Sequence, residues 1–404
     1  MEGDSGEDKD YRIVNPPNLH VHELLDRYKL VDPDTGLGPA QMQRFSLNFV
    51  SEQYISNFHS RISKSYSDMK LHSIVEDIYN NYLDDDKGFL NIQDTARTEN
   101  IIIPNWHPHD AFNWLARRAQ PTDSVAVNYV YYETIDGSHF VSLESLSRVD
   151  TVLSIIQTPR ESDPHKIEGL TGNFIKADDI SFIANNNKIK NISRGQYASK
   201  LITHDILTKQ IAQHEYDGLQ DFKDCDHLEE WPSIGYSKVE AQVGNTFRTS
   251  FAPPLSDKEF TSSGDYINDM TDSAVSFYPK HKSMYGASTA ETYDNKVEDW
   301  KLQHNGQMSL YDGVTLLVQC AGVSTLRVGQ TIKVFVLAPE TTSKGEFDVA
   351  TDKYMSGKYM ITSIRHIFKN KKQLEYKMFI ELSKDSLDEL PTPRPIRKKG
   401  SIEV

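Results

Sequence analysis

The chain is short of cysteine and has no long apolar run. Only Cys225 and Cys320 are cysteines among 404 residues, and two cysteines outside a C-x-x-C pair provide neither a disulfide framework nor a zinc site. Cys320 stands in an apolar segment and is predicted to be a small core residue, whereas Cys225 stands in the acidic stretch 224–227. No segment approaches the ~18 apolar residues of a membrane-spanning helix. The acidic stretch 1–10 is unlike a signal peptide, so we expect a protein that is made in the cytoplasm and has no membrane span.

A surplus of basic residues is also missing. The chain has 58 acidic and 44 basic residues, which gives a net charge of −14 at pH 7. A protein that holds DNA or RNA through phosphate contacts needs a basic binding face. The balance therefore argues against nucleic-acid binding, but it is compatible with a surface that must not retain nucleic acid.

Catalytic motifs are the third absence. The sequence has no HExxH, GxSxG, Walker loop or GxGxxG. Gly36-x-Gly38 is not a phosphate loop, because no strand leads into it and Pro39 follows it. We therefore predict that the chain is not an enzyme, needs no cofactor, and has no catalytic, cofactor-binding or metal-binding residues. The alternative of a hydrolase stays open, since the carboxylates of a glycosidase need not be adjacent in the sequence.

Three groups of side chains could suggest a bound metal, and each has a simpler interpretation. They are His107 with His109, the set His204, Asp205, His214 and Glu215, and the run Asp84–Asp86. The first pair flanks a proline without the i,i+4 spacing of helical ligands and without a third ligand. In the second group, the two neighbouring residues point to opposite faces of a strand. The three aspartates lack the alternation of a calcium loop.

What the sequence does contain is a long array of strand patterns between Val314 and Leu382. Apolar residues alternate with polar ones, and turn residues such as Gly329 and Gly357 separate the runs, which is typical of antiparallel strands with one buried face. The predicted strands are Val314–Cys320, Thr331–Leu337, Lys358–Phe368 and Glu375–Leu382. Tyrosine and phenylalanine are frequent, at 20 and 17 residues, and they suit interfaces as well as cores.

The remaining elements are read from periodicity and turn chemistry. Strands are predicted at Tyr11–Val14, Met42–Val50, Val125–Tyr132 and Lys200–Gln210, with a hairpin turn at Asp136-Gly137. Helices are predicted at Ser67–Leu83 with Ser67 as N-cap, from Pro108 onward with Phe112, Leu115 and Ala116 buried, and at Asn295–Gln307. Leu19–Leu30 is read as a short helix or a loop, and Leu146–Thr158 as helix or strand. Gly218–Pro279 is polar and weakly periodic, which indicates a long irregular insertion or a flexible interaction arm.

Several of these pieces together resemble the baseplate central hub proteins of T-even-type contractile-tailed bacteriophages. The clearest are Pro104-Asn105-Trp106-x-Pro108 with its helix to Ala116, and the stretch from Gly357-Lys358-Tyr359-Met360-Ile361 through Ile364-x-His366 to Tyr376-Lys377-Met378. The resemblance covers most of the chain from about Ser51, and its motifs are structural rather than catalytic.

The resemblance implies an α+β fold with two antiparallel, tail-tube-like β-barrels and an inserted helical and irregular side domain. The implied parts are a disordered acidic leader (1–10), a first barrel (11–66), a helix and hairpin side domain (67–169), the first part of a second barrel (170–217), an insertion and helix of the side domain (218–307), the rest of the second barrel (308–384) and a basic Pro-rich tail (385–404). Lys200–Gln210 is expected to supply the strand that the Val314–Leu382 array lacks. Little strand sequence precedes Tyr11 compared with the family, which predicts a first barrel that is incomplete or completed by a neighbouring chain.

The function that the resemblance implies is structural. Family hubs are trimeric rings that join the tail tube to the central spike and form part of the conduit for DNA ejection. The expected partners are two further copies of the chain, the spike protein, a tail tube or tube-initiator protein and baseplate wedge proteins, with DNA only in passage. The expected location is the virion tail baseplate, after assembly in the host cytoplasm. The alternative is a tail-associated cell-wall hydrolase with acidic groups from Gly218–Pro279.

Overall fold

The fold is known from a computed structural model. The structure describes residues 19–29, 43–83, 89–157, 173–185, 187–206, 208–232, 239–242, 246–249, 271–280, 296–337, 351–352, 354–370 and 374–388. The predicted strand Tyr11–Val14, the leader 1–10 and the aspartates 84–86 lie outside these residues.

The described residues form an α+β fold with 20 strands and seven α-helices. In the first half these are β1 (Leu19–Lys29), β2 (Gln43–Ser51), α1 (Glu52–His59), β3 (Ile62–Lys70), α2 (Leu71–Tyr82), β4 (Phe89–Ile92), β5 (Thr98–Trp106), α3 (Pro108–Ala116), β6 (Tyr129–Thr134), β7 (Gly137–Ser142), α4 (Leu143–Ser147), β8 (Ser154–Ile156), β9 (Phe174–Asn185) and α5 (Lys188–Arg194). In the second half they are β10 (Ala198–Asp205), β11 (Ile211–Asp217), α6 (Gly218–Asp224), β12 (Trp231–Pro232), β13 (Val239–Gln242), β14 (Thr246–Thr249), β15 (Val275–Lys280), α7 (Lys301–Tyr311), β16 (Val314–Ala321), β17 (Thr331–Phe335), β18 (Gly357–Asn370), β19 (Leu374–Lys384) and β20 (Ser386–Leu387).

Six strands close into a barrel in the order β16-β19-β18-β17-β8-β9. The pairs are antiparallel, except that β8 runs parallel to both of its neighbours. Alternate residues point inward on β16, where the buried positions are Val314, Leu316, Val318 and Cys320. The inward side chains of all six strands form one apolar cluster, so the barrel is a filled core.

The four predicted strands of the Val314–Leu382 array are confirmed as β16 to β19, and Cys320 is a core residue as predicted. The prediction that Lys200–Gln210 completes the barrel is wrong. That segment forms β10 in a separate sheet of order β11-β10-β15, and β8 and β9 close the barrel instead. Gly329 has φ +85° where its backbone N–H donates to the carbonyl of Ile361 over 2.9 Å, a conformation that favours glycine at this turn.

A second core lies between the two-stranded sheet β3-β5, the three-stranded sheet β4-β7-β6 and the helices α2 and α3. The predicted apolar stripe of α2 is buried at Leu71, Ile74, Val75, Ile78 and Tyr79. The helix begins at Leu71 rather than at Ser67, which lies in β3. The predicted N-cap is therefore wrong: residues 62–70 pair with β5 and extend the backbone as far as Lys70.

The predictions around α3 and the following hairpin are confirmed. Pro108 is at the helix start, and Phe112, Leu115 and Ala116 are buried. In the β6–β7 hairpin Thr134 pairs with Gly137. The strand predicted at Val125–Tyr132 starts only at Tyr129, and the undecided stretch 146–158 contains both the end of α4 and strand β8.

The N-terminal described segment is a two-stranded antiparallel ribbon, β1–β2. Met42–Val50 is thus confirmed as a strand, but Leu19–Leu30 is neither a helix nor a loop, because 19–29 pairs with β2. Among the described residues of 11–66, the ribbon, α1 and β3 do not close into a barrel. The two-barrel arrangement and the domain boundaries remain predictions.

The sheet β11-β10-β15 packs one face on α7 and on the segment before it. Leu201 and Tyr216 contact the apolar side chains of Val297, Trp300 and Leu302. The predicted helix Asn295–Gln307 begins later, at Lys301. The predicted irregular insertion Gly218–Pro279 contains helix α6 and strands β12 to β15 in its described part.

Candidate functional site

The most unusual surface of the chain is one face of the β1–β2 ribbon. The register puts Val21 opposite Phe49 and Leu24 opposite Leu47, and directly opposite residues share a face of an antiparallel pair. We call this surface the ribbon face; it consists of Leu19, Val21, Leu24, Phe45, Leu47 and Phe49. These six side chains are 38–57% exposed. The other face is more polar, and there Asn48 Nδ2 donates to Glu23 Oε2 over 2.9 Å.

A second apolar surface lies on the sheet β11-β10-β15, on the side away from α7. The register places Ile202 beside Phe277 and His204 beside Ile211. With Val275 these residues form what we call the outer sheet face. Val275, Phe277 and Ile211 are 50%, 62% and 64% exposed. The register also places Lys200 and Glu215 on this side. The outer face therefore mixes apolar and charged side chains, whereas the apolar inner face is covered by α7 and the segment before it.

A pocket of about 350 Å³ opens beside the far end of the β18–β19 hairpin. The Tyr376 hydroxyl lies 2.9 Å from His366 Nδ1, and the Tyr376 ring stacks on Phe368 at a centroid distance of 4.2 Å. Arg327, on the pocket wall, donates from Nε to Asp136 Oδ2 over 2.6 Å. Phe368 is 65% exposed, so one aromatic ring of the pocket lining faces solvent.

The clearest internal polar feature is a buried junction between the barrel and the segment before β12. His227 Nδ1 lies 2.7 Å from Asp385 Oδ2, and His227 Nε2 lies 3.0 Å from the carbonyl oxygen of Phe222. The backbone N–H of Leu228 and the hydroxyl of Ser386 donate to Asp385 Oδ1 over 3.3 and 2.8 Å. Both ring nitrogens of His227 thus face acceptors, which suits the protonated imidazolium.

The charges at the junction shift one another's pKa values. Burial disfavours the charge on His227, but the Asp385 carboxylate and the hydrogen bonds outweigh it and raise the pKa of His227. Burial also opposes ionisation of Asp385, but the charge of His227 and the hydrogen bonds hold the pKa of Asp385 below its usual value. The favoured state is therefore a hydrogen-bonded ion pair.

A second ion pair extends the junction into the barrel wall. Lys384 is fully buried; its Nζ donates to the carbonyl of Ser356 over 2.9 Å and lies 3.6 Å from Glu229 Oε2. Glu229 Oε1 accepts from the backbone N–H of Lys358 over 2.6 Å. Burial raises the pKa of Glu229 and lowers that of Lys384, with each partner opposing the shift of the other. Residues 385–387, predicted as the start of a tail, are therefore part of the packed fold.

The histidines that the sequence suggests as possible metal ligands have other partners in the structure. His107 Nδ1 lies 2.9 Å from the carbonyl of Asn57, and the His109 ring packs on Tyr131, where burial lowers the pKa of His109. His204 is paired with Ile211, whereas His214 is paired with Leu201 on the opposite face of the sheet. The structure does not bring either group together. In the described parts of the chain, no three His, Cys, Asp or Glu side chains are placed to hold a metal ion.

Two side chains of the insertion are internal, the carboxyl group of Asp221 and the thiol of Cys225. Asp221 accepts from the Tyr216 hydroxyl over 2.9 Å and from Gln307 Nε2 over 3.1 Å. Burial raises the pKa of Asp221 to about 6, partly offset by these hydrogen bonds. Cys225 lies 3.5 Å from Gln307 Nε2, and burial raises the pKa of its thiol, so it is not an activated nucleophile. These groups tie α6 to α7.

No helix in the described ranges is both long enough and apolar enough to span a bilayer. Comparison with family models gives no match, and no curated protein matches the sequence. Among solved structures, the chain is similar to a 43 kDa tail protein of prophage MuSo2 from Shewanella oneidensis, at 10% identity and a TM-score of 0.41 over 88% of this chain and 76% of the other. It is also similar to an E. coli component of the type VI secretion system, described as structurally similar to the bacteriophage T4 tail proteins gp27 and gp5. There the identity is 9% and the TM-score 0.36, over 93% of this chain and 63% of the other.

Proposed function

We propose that the chain is a structural protein of a phage tail baseplate, the central hub, and that it assembles as a homotrimeric ring. The observation that carries the proposal is a filled six-strand barrel in a chain in which two other sheets, the β1–β2 ribbon and β11-β10-β15, expose apolar side chains. Clusters of exposed apolar side chains are common at protein–protein interfaces. The two segments that carry the family resemblance, Pro104–Ala116 and Gly357–Leu382, form α3 with the strand before it and the β18–β19 hairpin of the barrel.

The ring that we infer contains two tube-like domains per chain. Three chains would then present six such domains to a sixfold tail tube and a threefold body to a trimeric spike. The closed barrel would be the second domain. The first, around residues 11–66, would be completed on assembly, when the ribbon acquires neighbours. Pairing of sheet edges in a closed ring also removes edges that would otherwise favour aggregation.

The proposed partners are the central spike protein, a tail tube or tube-initiator protein and baseplate wedge proteins. DNA would pass through the ring without being held. Three chains at −14 carry a charge of −42 (3 × −14), and negative charge along a lumen repels the phosphate backbone of the passing DNA. The proposed location of the protein is therefore the tail of the virion.

The hydrolase alternative needs two carboxylates that face an open cleft. Asp221, the acidic side chain of the insertion with the clearest raised pKa, is held by Tyr216 and Gln307 against α7. A hydrolase would have to use other groups. Zymography on peptidoglycan separates the two functions: clearing by the purified chain supports the hydrolase, and no clearing supports the structural role.

Light scattering of the full-length chain tests the trimer. One chain has a mass of 46.1 kDa, so a trimer has about 138 kDa. We expect the trimer at micromolar concentration, alone or with the spike partner added. A mass of one chain under both conditions would contradict the proposed hub.

A further inference from the structure

Strand β18 has a free edge along its outer half. β17 pairs with its first four residues, and the backbone of Ile361 makes hydrogen bonds of 2.9 Å to Gly329 and Gln330. From Thr362 to Asn370, no strand pairs with that side in the part of the chain that the structure describes, whereas β19 pairs with the other side as far as Asn370. A row of backbone N–H and C=O groups without a ladder partner is a template for a further strand.

The pocket of about 350 Å³ lies at this free edge. Residues 326–328, on its wall, lead directly into the turn that bonds Ile361. From β18 itself, Ile364, His366 and Phe368 line the pocket, and alternate residues of a strand share one face. The lining is mainly apolar and aromatic, so the pocket suits large apolar side chains that a strand at the edge would bring.

The N-terminal end of the ribbon lies beside this pocket. Leu19, the first residue of β1, is paired with Ser51. The Ser51 hydroxyl donates to Glu133 Oε2 over 2.8 Å, and Glu133 is part of the pocket lining. Gln53 fixes this position, because its buried Nε2 donates to the Ser138 hydroxyl of the same β6–β7 hairpin over 2.8 Å. With about 5.5 Å between paired Cα atoms, Leu19 lies within roughly 15 Å of Glu133.

The sequence directly before Leu19 has the properties that the edge and the pocket require. Tyr11-Arg12-Ile13-Val14 is the predicted strand that lies outside the described residues. In a strand, Tyr11 and Ile13 point to one face and supply two large apolar side chains. Residues 15–18 include two adjacent prolines, which favour an extended connection. The five steps from Val14 to Leu19 then span up to roughly 17 Å, which matches the distance to the pocket.

Charge favours the same placement of the segment. The stretch 1–10 has five acidic residues and one basic residue, a net charge of −4. Residues 362–377, the outer part of the β18–β19 hairpin with its turn, have five basic residues and one acidic residue, a net charge of +4. Arg365 and Lys369 are on the face of β18 opposite to the pocket. This charge would therefore attract the acidic stretch next to the strand, whereas the contact in the pocket is apolar.

We propose that Tyr11–Val14 adds as a strand to the free edge of β18 in the same chain, with Tyr11 and Ile13 in the pocket. The added strand would join the ribbon directly to the barrel. In that arrangement the first tube-like domain of the proposed hub begins at the ribbon, and the segment before it belongs to the second. The inference does not depend on the trimer, because the contact is within one chain.

Cysteine cross-linking in the full-length chain tests the contact. Arg12→Cys with Arg365→Cys puts both thiols on the face away from the pocket and leaves the pocket intact. With a short bis-maleimide we expect a linked peptide pair that contains both positions, in a product with the mass of one chain on a denaturing gel. The matched control is Arg12→Cys with Ile189→Cys, since Ile189 is 80% exposed on α5, at the opposite end of the barrel. The unsubstituted chain controls for Cys225 and Cys320.

The yield and the mass of the product decide the outcome. A single-chain cross-link at least tenfold above the control supports the inference, and a yield equal to that of the control overturns it. Covalent dimers that link the two positions between chains also overturn it, because the segment on the edge would then come from a second copy. Light scattering on the same samples reports the trimer separately, so failure of this contact leaves the proposed hub standing.

Hydrogen exchange followed by mass spectrometry provides a second readout without thiols. The amides of residues 362–369 that face the free edge should exchange at least tenfold faster in Ile13→Pro, because proline cannot donate to a ladder. Ser5→Pro, outside the predicted strand, is the matched control and should leave this exchange unchanged. Slow exchange in β16 in all three chains shows that the barrel is intact. Equal exchange of 362–369 in the unsubstituted chain and in Ile13→Pro would overturn the inference.

Discussion

His227 and Asp385 form a buried ion pair, 2.7 Å from Nδ1 to Oδ2, which joins residues 158 positions apart. The pair lies where the end of β19 meets the segment before β12, and β12 pairs with β20 directly beyond it. These buried charged groups are therefore one of the connections between the barrel and the rest of the chain.

Removing the carboxylate should weaken the fold strongly. Asp385→Asn keeps the shape but leaves the His227 cation without its counter-charge, and breaking a buried pair in this way costs about 3 kcal/mol. We expect that loss in the free energy of unfolding, measured by urea denaturation. Asp94→Asn is the matched control: Asp94 is 73% exposed and 3.6 Å from His72, so its loss should cost less than about 0.5 kcal/mol. Equal losses in the two variants would contradict the assigned role of the junction.

The contribution of the pair should depend on pH in a defined direction. The pKa of His227 is raised above 6.5, so its stabilisation is complete below that pH and is lost as pH rises through the folded pKa. The pKa of Asp385 is lowered below 3.8, so its stabilisation is present above 3.8 and is lost as pH falls through the folded value. The difference in unfolding free energy between the unsubstituted chain and Asp385→Asn should be largest at about pH 5 to 6 and smaller above the raised pKa of His227. A difference that grows from pH 6 to pH 9 would contradict this assignment.

Neighbouring leucines of β16 should respond differently to truncation. Leu316 is fully buried in the barrel core, whereas Leu317 points outward and is half-buried. Leu316→Ala should cost about 2–5 kcal/mol because it leaves a cavity, and Leu317→Ala should cost less than about 1 kcal/mol. Thermal or urea unfolding of the pair measures the difference. If the two costs were reversed, the register of β16 in the barrel would be wrong.

Gly306 should not tolerate alanine although it lies within helix α7. A Cβ at this position would overlap the ring and hydroxyl of Tyr216 on β11. Alanine in a helix gains up to ~1 kcal/mol over glycine, but overpacking costs about 1–3 kcal/mol. We therefore expect Gly306→Ala to be less stable in urea denaturation. Increased stability would show that β11 and α7 are not packed as closely as the structure has them.

Periodicity predicted the parts of the fold in which one face is buried and the other is not. The four strands of Val314–Leu382 and the apolar stripe of α2 belong to this class. It could not assign β10 to its sheet, because β10 carries apolar and polar side chains on both faces and its pattern fits any sheet. It also failed for Leu19–Lys29, where register shifts after Val21 and Leu25 interrupt the alternation.

Little in the sequence indicated the buried junction of His227, Asp385, Lys384 and Glu229. Lys384 and Asp385 end a strand and resemble a solvated terminus, yet both are fully buried. Only their partners explain this burial, and His227 and Glu229 are more than 150 positions away in the chain. By contrast, the absence of a catalytic motif was read directly from the sequence. The exposure of the apolar faces could not be predicted from the sequence, because an apolar strand pattern does not indicate whether another element covers the strand.

The trimeric ring is the central claim, and averaged electron micrographs of the purified full-length chain test it most directly. We predict two-dimensional class averages that show a threefold ring with a central hole, formed by particles of about 138 kDa from three chains of 46.1 kDa. Averages that show only single, compact particles of one chain, with no ring at any concentration in the micromolar range, would contradict it.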